Sequence, residues 1–169
     1  TLCDKSNVLT YGHDLWQRTF KEVGKEYADI KQNHVLVDAL TMFFVRSPEH
    51  YDVIVTNNMF GDIITDLGAM IQGGMGVAAS GNLNPHGVSM FEPVHGSAPQ
   101  YAGKNVANPI AAIAALSMLL DYLGETKASQ RIEKAIAKLV TESHLKTLDL
   151  SEDPGTSGIG DLIAKFVTA

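Results

Sequence analysis

The sequence has a single cysteine, Cys3, and few basic residues for a chain of 169. One cysteine excludes an internal disulfide, which is typical of proteins from reducing compartments, so we expect a cytoplasmic protein. Thirteen Lys and Arg against 19 Asp and Glu give a net charge of −6. This charge argues against attraction to nucleic acid or to an anionic membrane, and neither is expected as a partner.

Long hydrophobic runs are also lacking. We find no segment of the length that spans a membrane, no signal peptide, no internal repeat and no low-complexity segment. The hydrophobic content of 45% is enough for a packed core. The chain starts at Thr1 and enters a motif at once, so we expect it to be a fragment of a longer protein.

Two aspartates stand out in the stretch NNMFGDIITD. A β-branched run at 53–56 precedes it and predicts a buried strand, after which Asn57 or Asn58 can cap a helix. Asp62 and Asp66 are four residues apart, so both carboxylates leave one face of that helix. Like charges at this spacing repel, and the repulsion is relieved either by solvent or by a divalent cation. Apolar neighbours indicate that the helix is partly buried.

Three other polar positions have two interpretations each. Lys5 and Asn7 follow a predicted strand, and on spacing alone they are a surface lysine and a turn asparagine. Asp38 follows a short predicted strand at 35–37 and either caps the next helix or serves a site. The local pattern leaves both alternatives open.

Small residues dominate two segments of the second half. The sequence HGSAP at 95–99 forms a loop that lets backbone N–H groups approach a ligand, although most such loops are simple turns. The glycine-dense segment at 72–76 predicts a crossing between two domains, 1–72 and 73–169.

Four motifs occur in a fixed order: DKSNVL at 4–9, VDAL at 37–40, NNMFGDIITDLGAMIQGGMG at 57–76 and FEPVHGSAPQYAGKNVANP at 91–109. Together they resemble the isocitrate/isopropylmalate dehydrogenase family, the β-decarboxylating hydroxyacid dehydrogenases, over nearly the whole chain. The alternation of strands and helices fits an α/β fold. The resemblance implies an isopropylmalate dehydrogenase-like fold rather than a Rossmann fold, of which this chain is a C-terminal fragment.

The resemblance also implies a Mg²⁺ or Mn²⁺ site shared across a homodimer. Asp62 and Asp66 would be metal ligands of one subunit, and Asp38 would be the third ligand, donated by the other subunit. Lys5 would be the catalytic group that assists removal of the substrate hydroxyl proton, and Lys5 and Asp38 would bind the small-molecule substrate. Residues 1–72 would form part of the central metal-binding and dimer-interface domain.

In the family, the loop after residue 94 wraps the adenosine end of a nicotinamide dinucleotide, in an outer domain formed here by residues 73–169. Asn7 and Glu92 would lie near the nicotinamide. The other expected cofactor-binding residues are His95, Gly96, Ser97, Ala98, Pro99, Gln100, Tyr101 and Asn108. Because Gln100 is neutral, and residues 148–152 lack the Tyr-x-x-x-Arg pair of NADP-using members, we expect NAD and leave NADP open.

The implied reaction is the metal- and NAD-dependent oxidative decarboxylation of a 3-substituted D-malate. The pattern NVL followed by GHDLW resembles isopropylmalate enzymes, and the apolar Val8 and Leu9 favour an aliphatic substituent, so 3-isopropylmalate of leucine biosynthesis is the expected substrate. Isocitrate, homoisocitrate, tartrate and D-malate stay open, as does a non-catalytic fragment or regulatory subunit. We expect this fragment alone to be inactive, because the family's catalytic tyrosine and substrate-binding arginines would lie in the other half.

Overall fold

The computed structural model describes residues 1–142 and 155–168. The chain divides into two units, Thr1–Ile71 and Gln72–Ala169. Each unit has its own hydrophobic core, one around Cys3 and Leu40 and the other around Leu139 and Ile159. The roles predicted for the two domains stay predictions.

The first unit combines two parallel strands with three helices. Its elements in chain order are β1 (Leu2–Asp4), α1 (Thr10–Gly24), β2 (His34–Leu36), α2 (Val37–Arg46), a 3₁₀ turn (Pro48–His50) and α3 (Asn58–Ile71). Strands β1 and β2 pair with Leu2 opposite His34 and Asp4 opposite Leu36. All three residues of β1 are buried, so this strand lies at the centre of the unit.

The buried strand predicted at 53–56 is wrong. Only Val55 bridges to β1, through hydrogen bonds from Cys3 N to Val55 O and from Val55 N to Thr1 O, both of 2.9 Å. A single bridge does not hold four residues in extended pairing. Val53 is 74% exposed, whereas Ile54 is partly buried against the core of the first unit, so the run is not buried as a whole.

Helix α3 begins as predicted. The Asn57 side-chain oxygen accepts a hydrogen bond of 2.9 Å from the Phe60 N–H, which is the geometry of an N-cap. Phe60, Ile64 and Ala69 are buried, whereas Met59 and Ile63 are exposed. The helix is therefore partly buried, as its sequence indicates.

Asp38 lies inside α2 and not at its cap. The helix starts at Val37, directly after β2, and its N-cap residue is Leu36. The prediction that residue 37 ends a strand is therefore wrong, and so is the alternative that Asp38 caps the helix. The carboxylate instead occupies the first helical turn, where it interacts favourably with the helix dipole.

The described residues of the second unit form three helices and a hairpin. Its elements are β3 (Ala79–Asn82), β4 (Met90–Pro93), a 3₁₀ turn (Pro99–Tyr101), α4 (Ile110–Tyr122), α5 (Thr126–Glu142) and α6 (Gly155–Thr168). Strands β3 and β4 are antiparallel, with Ser80 opposite Glu92. In residues 1–142 and 155–168 no helix combines the length and the apolar character needed to cross a bilayer.

Candidate functional site

Lys5 and Asp38 meet at one edge of the small parallel sheet. Lys5 directly follows β1, and Asp38 lies in the first turn of α2, which directly follows β2. Because neighbouring parallel strands end at the same edge, the two side chains come together, with 2.5 Å between Lys5 Nζ and Asp38 Oδ1. This hydrogen bond is the main reason that the pKa of the Asp38 carboxyl lies below its ordinary value.

Asp62 and Asp66 lie one turn apart on α3, and both are exposed. Asp62 Oδ2 has only a long contact, 3.4 Å from the amide nitrogen of Asn58. In the described ranges, Asp66 has neither an ion pair nor a side-chain hydrogen bond. Exposed carboxylate oxygens without tight protein partners are the donors that Mg²⁺ and Mn²⁺ prefer, so this pair fits such an ion chemically.

The third predicted ligand is not gathered with the other two. Among the residues that the structure describes, no group of three His, Cys, Asp or Glu side chains is placed to hold one metal ion. Asp38 pairs with Lys5 instead, and Asp62 and Asp66 remain a pair of their own. A divalent ion on α3 would need further oxygen ligands from water, from substrate or from another chain.

His13 is a buried polar residue of this region for which the sequence predicts no role of its own, although the pattern GHDLW contains it. It lies on α1 and is 7% exposed, and its Nδ1 accepts a hydrogen bond of 2.7 Å from the backbone N–H of Lys5. A lone histidine on an amphipathic helix resembles any other polar surface residue in sequence. Only the folded chain shows that its ring reaches the predicted catalytic lysine.

A groove of about 1220 Å³ opens in the second unit. Six of the predicted cofactor-binding residues line it: His95, Gly96, Ser97, Ala98, Tyr101 and Asn108. Pro99 and Gln100 are exposed and belong to the 3₁₀ turn, and neither is among the lining residues. Glu92 is exposed on β4 and also does not line the groove, and Asn7 belongs to the first unit.

The groove wall leaves backbone accessible to a ligand. A Cβ atom added to Gly96 would meet nothing within 4 Å, so this position borders open space. Ala98 has a φ of 41° and Asn105 a φ of 57°, so the loop turns through the left-handed region at two non-glycine residues. A groove of this volume with open backbone at Gly96 has room for the adenosine end of a dinucleotide.

The start of α6 is bonded to this groove, which the sequence does not indicate. Asn105 O accepts a hydrogen bond of 2.9 Å from Thr156 N, and Asn105 Oδ1 accepts from both N and Oγ of Ser157, each at 2.9 Å. Thr156 Oγ1 donates to Ala107 O, and Thr156 itself lines the groove. About fifty residues separate the partners, so no local pattern predicts the contact. Residues 148–152, where an NADP-type pair is lacking in the sequence, lie outside the described residues.

Comparisons with known proteins agree with the motif pattern. The model of the family described as isocitrate/isopropylmalate dehydrogenase matches residues 1–163. Proteins named 3-isopropylmalate dehydrogenase are similar over 99% of this chain, with 54% identity in Thermobifida fusca and 49% in Nocardia farcinica. The chain covers 47% and 48% of those two proteins. It therefore spans about half the length of the curated relatives it matches.

Solved structures show the same fold. The isocitrate dehydrogenase of Methylococcus capsulatus matches with a TM-score of 0.88 and 39% identity, over 99% of this chain and 50% of that one. A β-decarboxylating dehydrogenase of Thermococcus kodakarensis, crystallised in its apo form, matches with a TM-score of 0.79 and 38% identity, over 99% of this chain and 48% of that one. The prediction of an α/β, isopropylmalate dehydrogenase-like fold is confirmed.

Proposed function

Because the chain belongs to the isocitrate/isopropylmalate dehydrogenase family, we propose that the protein containing it catalyses the metal- and NAD-dependent oxidative decarboxylation of 3-isopropylmalate, a step of leucine biosynthesis. The observation that carries the proposal is the pair of Lys5 and Asp38 at the sheet edge, 2.5 Å apart. The names of relatives that are about half identical favour this substrate over other 3-substituted malates.

Asp62 and Asp66 of one subunit and Asp38 of the partner subunit would hold Mg²⁺ or Mn²⁺. When bound, such an ion polarises the substrate hydroxyl and carboxylate as a Lewis acid. The exposure of Asp62 and Asp66 and their lack of tight partners among the described residues support this assignment. By fixing the position of the ion, the carboxylates would determine where the substrate oxygens bind.

As a neutral amine, Lys5 would take the proton of the substrate hydroxyl on its Nζ atom. The Asp38 carboxylate accepts a hydrogen bond from that nitrogen and so fixes the direction in which the amine points. Both groups project from the same edge of one unit, which allows them to enter the site of a second subunit together. A nicotinamide cofactor, when bound, would supply the acceptor for the hydride of the hydroxyl carbon.

The groove of the second unit would hold the adenosine end of NAD. The open backbone at Gly96 and the lining side chains of His95 and Asn108 support this role. We favour NAD over NADP because Gln100 offers no positive charge for a 2′-phosphate. Glu92 and Asn7 would lie nearer the nicotinamide.

A homodimer with shared active sites would be the working form. Apolar side chains on α2 and α3 are exposed in the single chain, among them Met42, Phe43 and Ile63. Such a surface is typical of a protein interface. We propose a cytoplasmic location, which the lone cysteine favours, with a small-molecule substrate as the other partner.

The direct test is the reduction of NAD and NADP by the full-length protein, followed by absorbance, with Mn²⁺ or Mg²⁺ and a panel of malates. We expect turnover of 3-isopropylmalate with NAD. Lys5→Ala and Asp62→Asn should each lower kcat by at least about 100-fold, because a proton acceptor or a metal ligand is lost. Lys31→Ala removes an exposed lysine outside both sites and should leave the rate unchanged.

Isocitrate is the second candidate substrate, because the chain also matches a solved isocitrate dehydrogenase over 99% of its length. Turnover of isocitrate in place of 3-isopropylmalate would favour it. Homoisocitrate, tartrate and D-malate are the remaining arms of the panel. A folded dimer that binds Mn²⁺ but turns over none of them would contradict the proposal and indicate a regulatory subunit.

A further inference from the structure

We propose that His13 is a positioning residue for the proton transfer at Lys5. In this role its imidazole fixes the backbone of Lys5 against the start of the helix that carries Asp62 and Asp66. The inference rests on the proposed function, because it assumes that Lys5 takes a proton from substrate. It adds a residue that lies outside the four sequence motifs.

The first contact is a hydrogen bond to the backbone of Lys5. Nδ1 of His13 lies 2.7 Å from the Lys5 nitrogen, and the ring is 7% exposed. Because a backbone N–H can only donate, Nδ1 is the acceptor and carries no proton. The ring is therefore neutral, with its hydrogen on Nε2.

The second contact joins the ring to the start of α3. Nε2 lies 3.2 Å from the side-chain nitrogen of Asn57, the residue that caps this helix, and because both atoms carry hydrogen this is a close approach and not a hydrogen bond. The ring also packs edge-on against Phe60, with centroids 5.5 Å apart and an angle of 74° between the planes. His13 therefore touches both the cap of α3 and the buried residue of its first turn.

The Lys5 backbone is thus held on both of its polar groups. Its N–H is bonded to His13, and its carbonyl accepts hydrogen bonds of 3.0 Å from Val8 N and 2.8 Å from Leu9 N. A backbone fixed in this way sets the direction in which the side chain leaves β1 toward Asp38. Small misplacements of a catalytic group cost rate, so the residue that supplies one of these bonds should affect kcat.

Two substitutions separate positioning from packing. His13→Phe keeps an aromatic ring beside Phe60 but offers no acceptor to the Lys5 N–H. His13→Asn loses the ring but places an amide oxygen close to where Nδ1 lies, so it keeps an acceptor. A residue that only fills space should tolerate phenylalanine better, and a positioning residue should tolerate asparagine better.

The experiment uses the full-length protein with 3-isopropylmalate, NAD and Mn²⁺. We expect His13→Phe to lower kcat by about 10- to 100-fold with KM for the substrate within about twofold of wild type, and His13→Asn to recover most of the rate. The deuterium isotope effect on kcat, measured with substrate labelled at the hydroxyl carbon, should increase in His13→Phe because the chemical steps become rate-limiting. Melting curves record any loss of stability separately.

The wild-type protein separates failure of the positioning role from failure of the proposed function. If the wild-type protein does not turn over 3-isopropylmalate, that function fails first. If it does, and His13→Phe matches wild type or falls no further than His13→Asn, the positioning role is overturned. Should His13→Phe not fold, His13→Gln replaces it, since its longer side chain carries the oxygen past the Nδ1 position, with the same expected difference from His13→Asn.

Discussion

Asp4 and Asp38 are two carboxylates whose pKa values shift in the same direction in opposite surroundings. Asp4 is 1% exposed, and it accepts hydrogen bonds from His34, Ser6 and Gln17 at 2.8, 3.0 and 3.1 Å. Burial acts to raise the pKa of Asp4, but these hydrogen bonds, led by that from His34, outweigh it and the pKa lies below its ordinary value. The buried charge of Asp4 thus stabilises the folded state, whereas the charge of Asp38 faces solvent.

Substitution of Asp4 by Asn should therefore destabilise the protein. The amide nitrogen would replace one of the two oxygens, so a donor would face either Ser6 and His34 or Gln17, at a cost of about 2–3 kcal/mol in the free energy of unfolding. Urea denaturation of the full-length protein at pH 7 measures this cost. Asp14→Asn is the control, since Asp14 pairs with Arg18 on the exposed face of α1 and should cost no more than about 0.5 kcal/mol.

The effect of Asp4 should also depend on pH. Its pKa is lower in the folded state than the unfolded value of about 3.9, so its contribution is fully present above that pH and is lost as the pH falls through the folded pKa. The stability difference between wild type and Asp4→Asn should shrink over this acidic range. A difference that stays constant from pH 7 to the acid limit would contradict this origin.

For Asp38 the expected effect is on metal binding and not on folding. Asp38→Asn removes an exposed charge that Lys5 alone contacts closely, so the melting temperature should move by no more than about 2 °C. The Mn²⁺ concentration needed for half-maximal activity should rise by about 10- to 100-fold if Asp38 is a ligand. Titration of activity with Mn²⁺ measures this shift, and an unchanged requirement would remove Asp38 from the metal site.

Single residues differ in how far the sequence reveals them. Lys5 directly follows β1, and Asp38 lies in the first turn of the helix that follows β2. Because adjacent parallel strands end at the same edge, the proximity of the two residues follows from the order of the elements. His13 and Thr156 reach their partners through the packing of helices. The packing of the whole core determines which face of a helix meets a distant loop. No local sequence pattern encodes this packing.

At the scale of elements, the groove-lining loop at 95–108 and helix α6 are joined by hydrogen bonds. Gly155 starts α6 with a φ of 67°, and a Cβ atom there would lie 2.6 Å from Asn105 O. The absence of a side chain at this residue allows the loop and the helix to approach. The sequence predicts the loop, but not that it contacts α6.

Gly155→Ala should therefore disturb cofactor binding. We expect a loss of about 1–3 kcal/mol in stability from the strained backbone and the clash. KM for NAD should increase, while KM for the malate substrate stays within about twofold of wild type. Gly160→Ala on the same helix is the matched control, because a Cβ there meets nothing within 4 Å, and its effect on both KM values should be negligible. Equal KM values in the two variants would separate α6 from the cofactor site.

Helices were more predictable than strands in this chain. Helix α3 keeps its cap and its buried face because both arise from residues within a few positions of each other. The run at 53–56 has the composition of a strand, yet extended pairing needs partners far along the chain, and only Val55 finds one here. The composition of a segment indicates its tendency to form a strand, but the strand forms only where a partner strand is available.

At the scale of the whole molecule, the division of the site between subunits can be tested by mixing variants. Lys5→Ala and Asp62→Asn should each be inactive alone. In a shared site, a mixed dimer has one defective site that carries both substitutions and one intact site. Random pairing should therefore restore about a quarter of wild-type activity, since half of the dimers are mixed. Coexpression with two different affinity tags isolates the mixed dimer, and absence of activity there would place the whole site within one chain.

The bonds between Asn105 and the first turn of α6 have a consequence for the free and bound protein. Two events that share the same hydrogen bonds are thermodynamically linked, so a nucleotide that orders the loop also tightens the attachment of the terminal helix. The amide hydrogens of Thr156 and Ser157 should then exchange with deuterated solvent more slowly when NAD is present. By reciprocity, removal of α6 by a protease should lower the affinity of the groove for NAD.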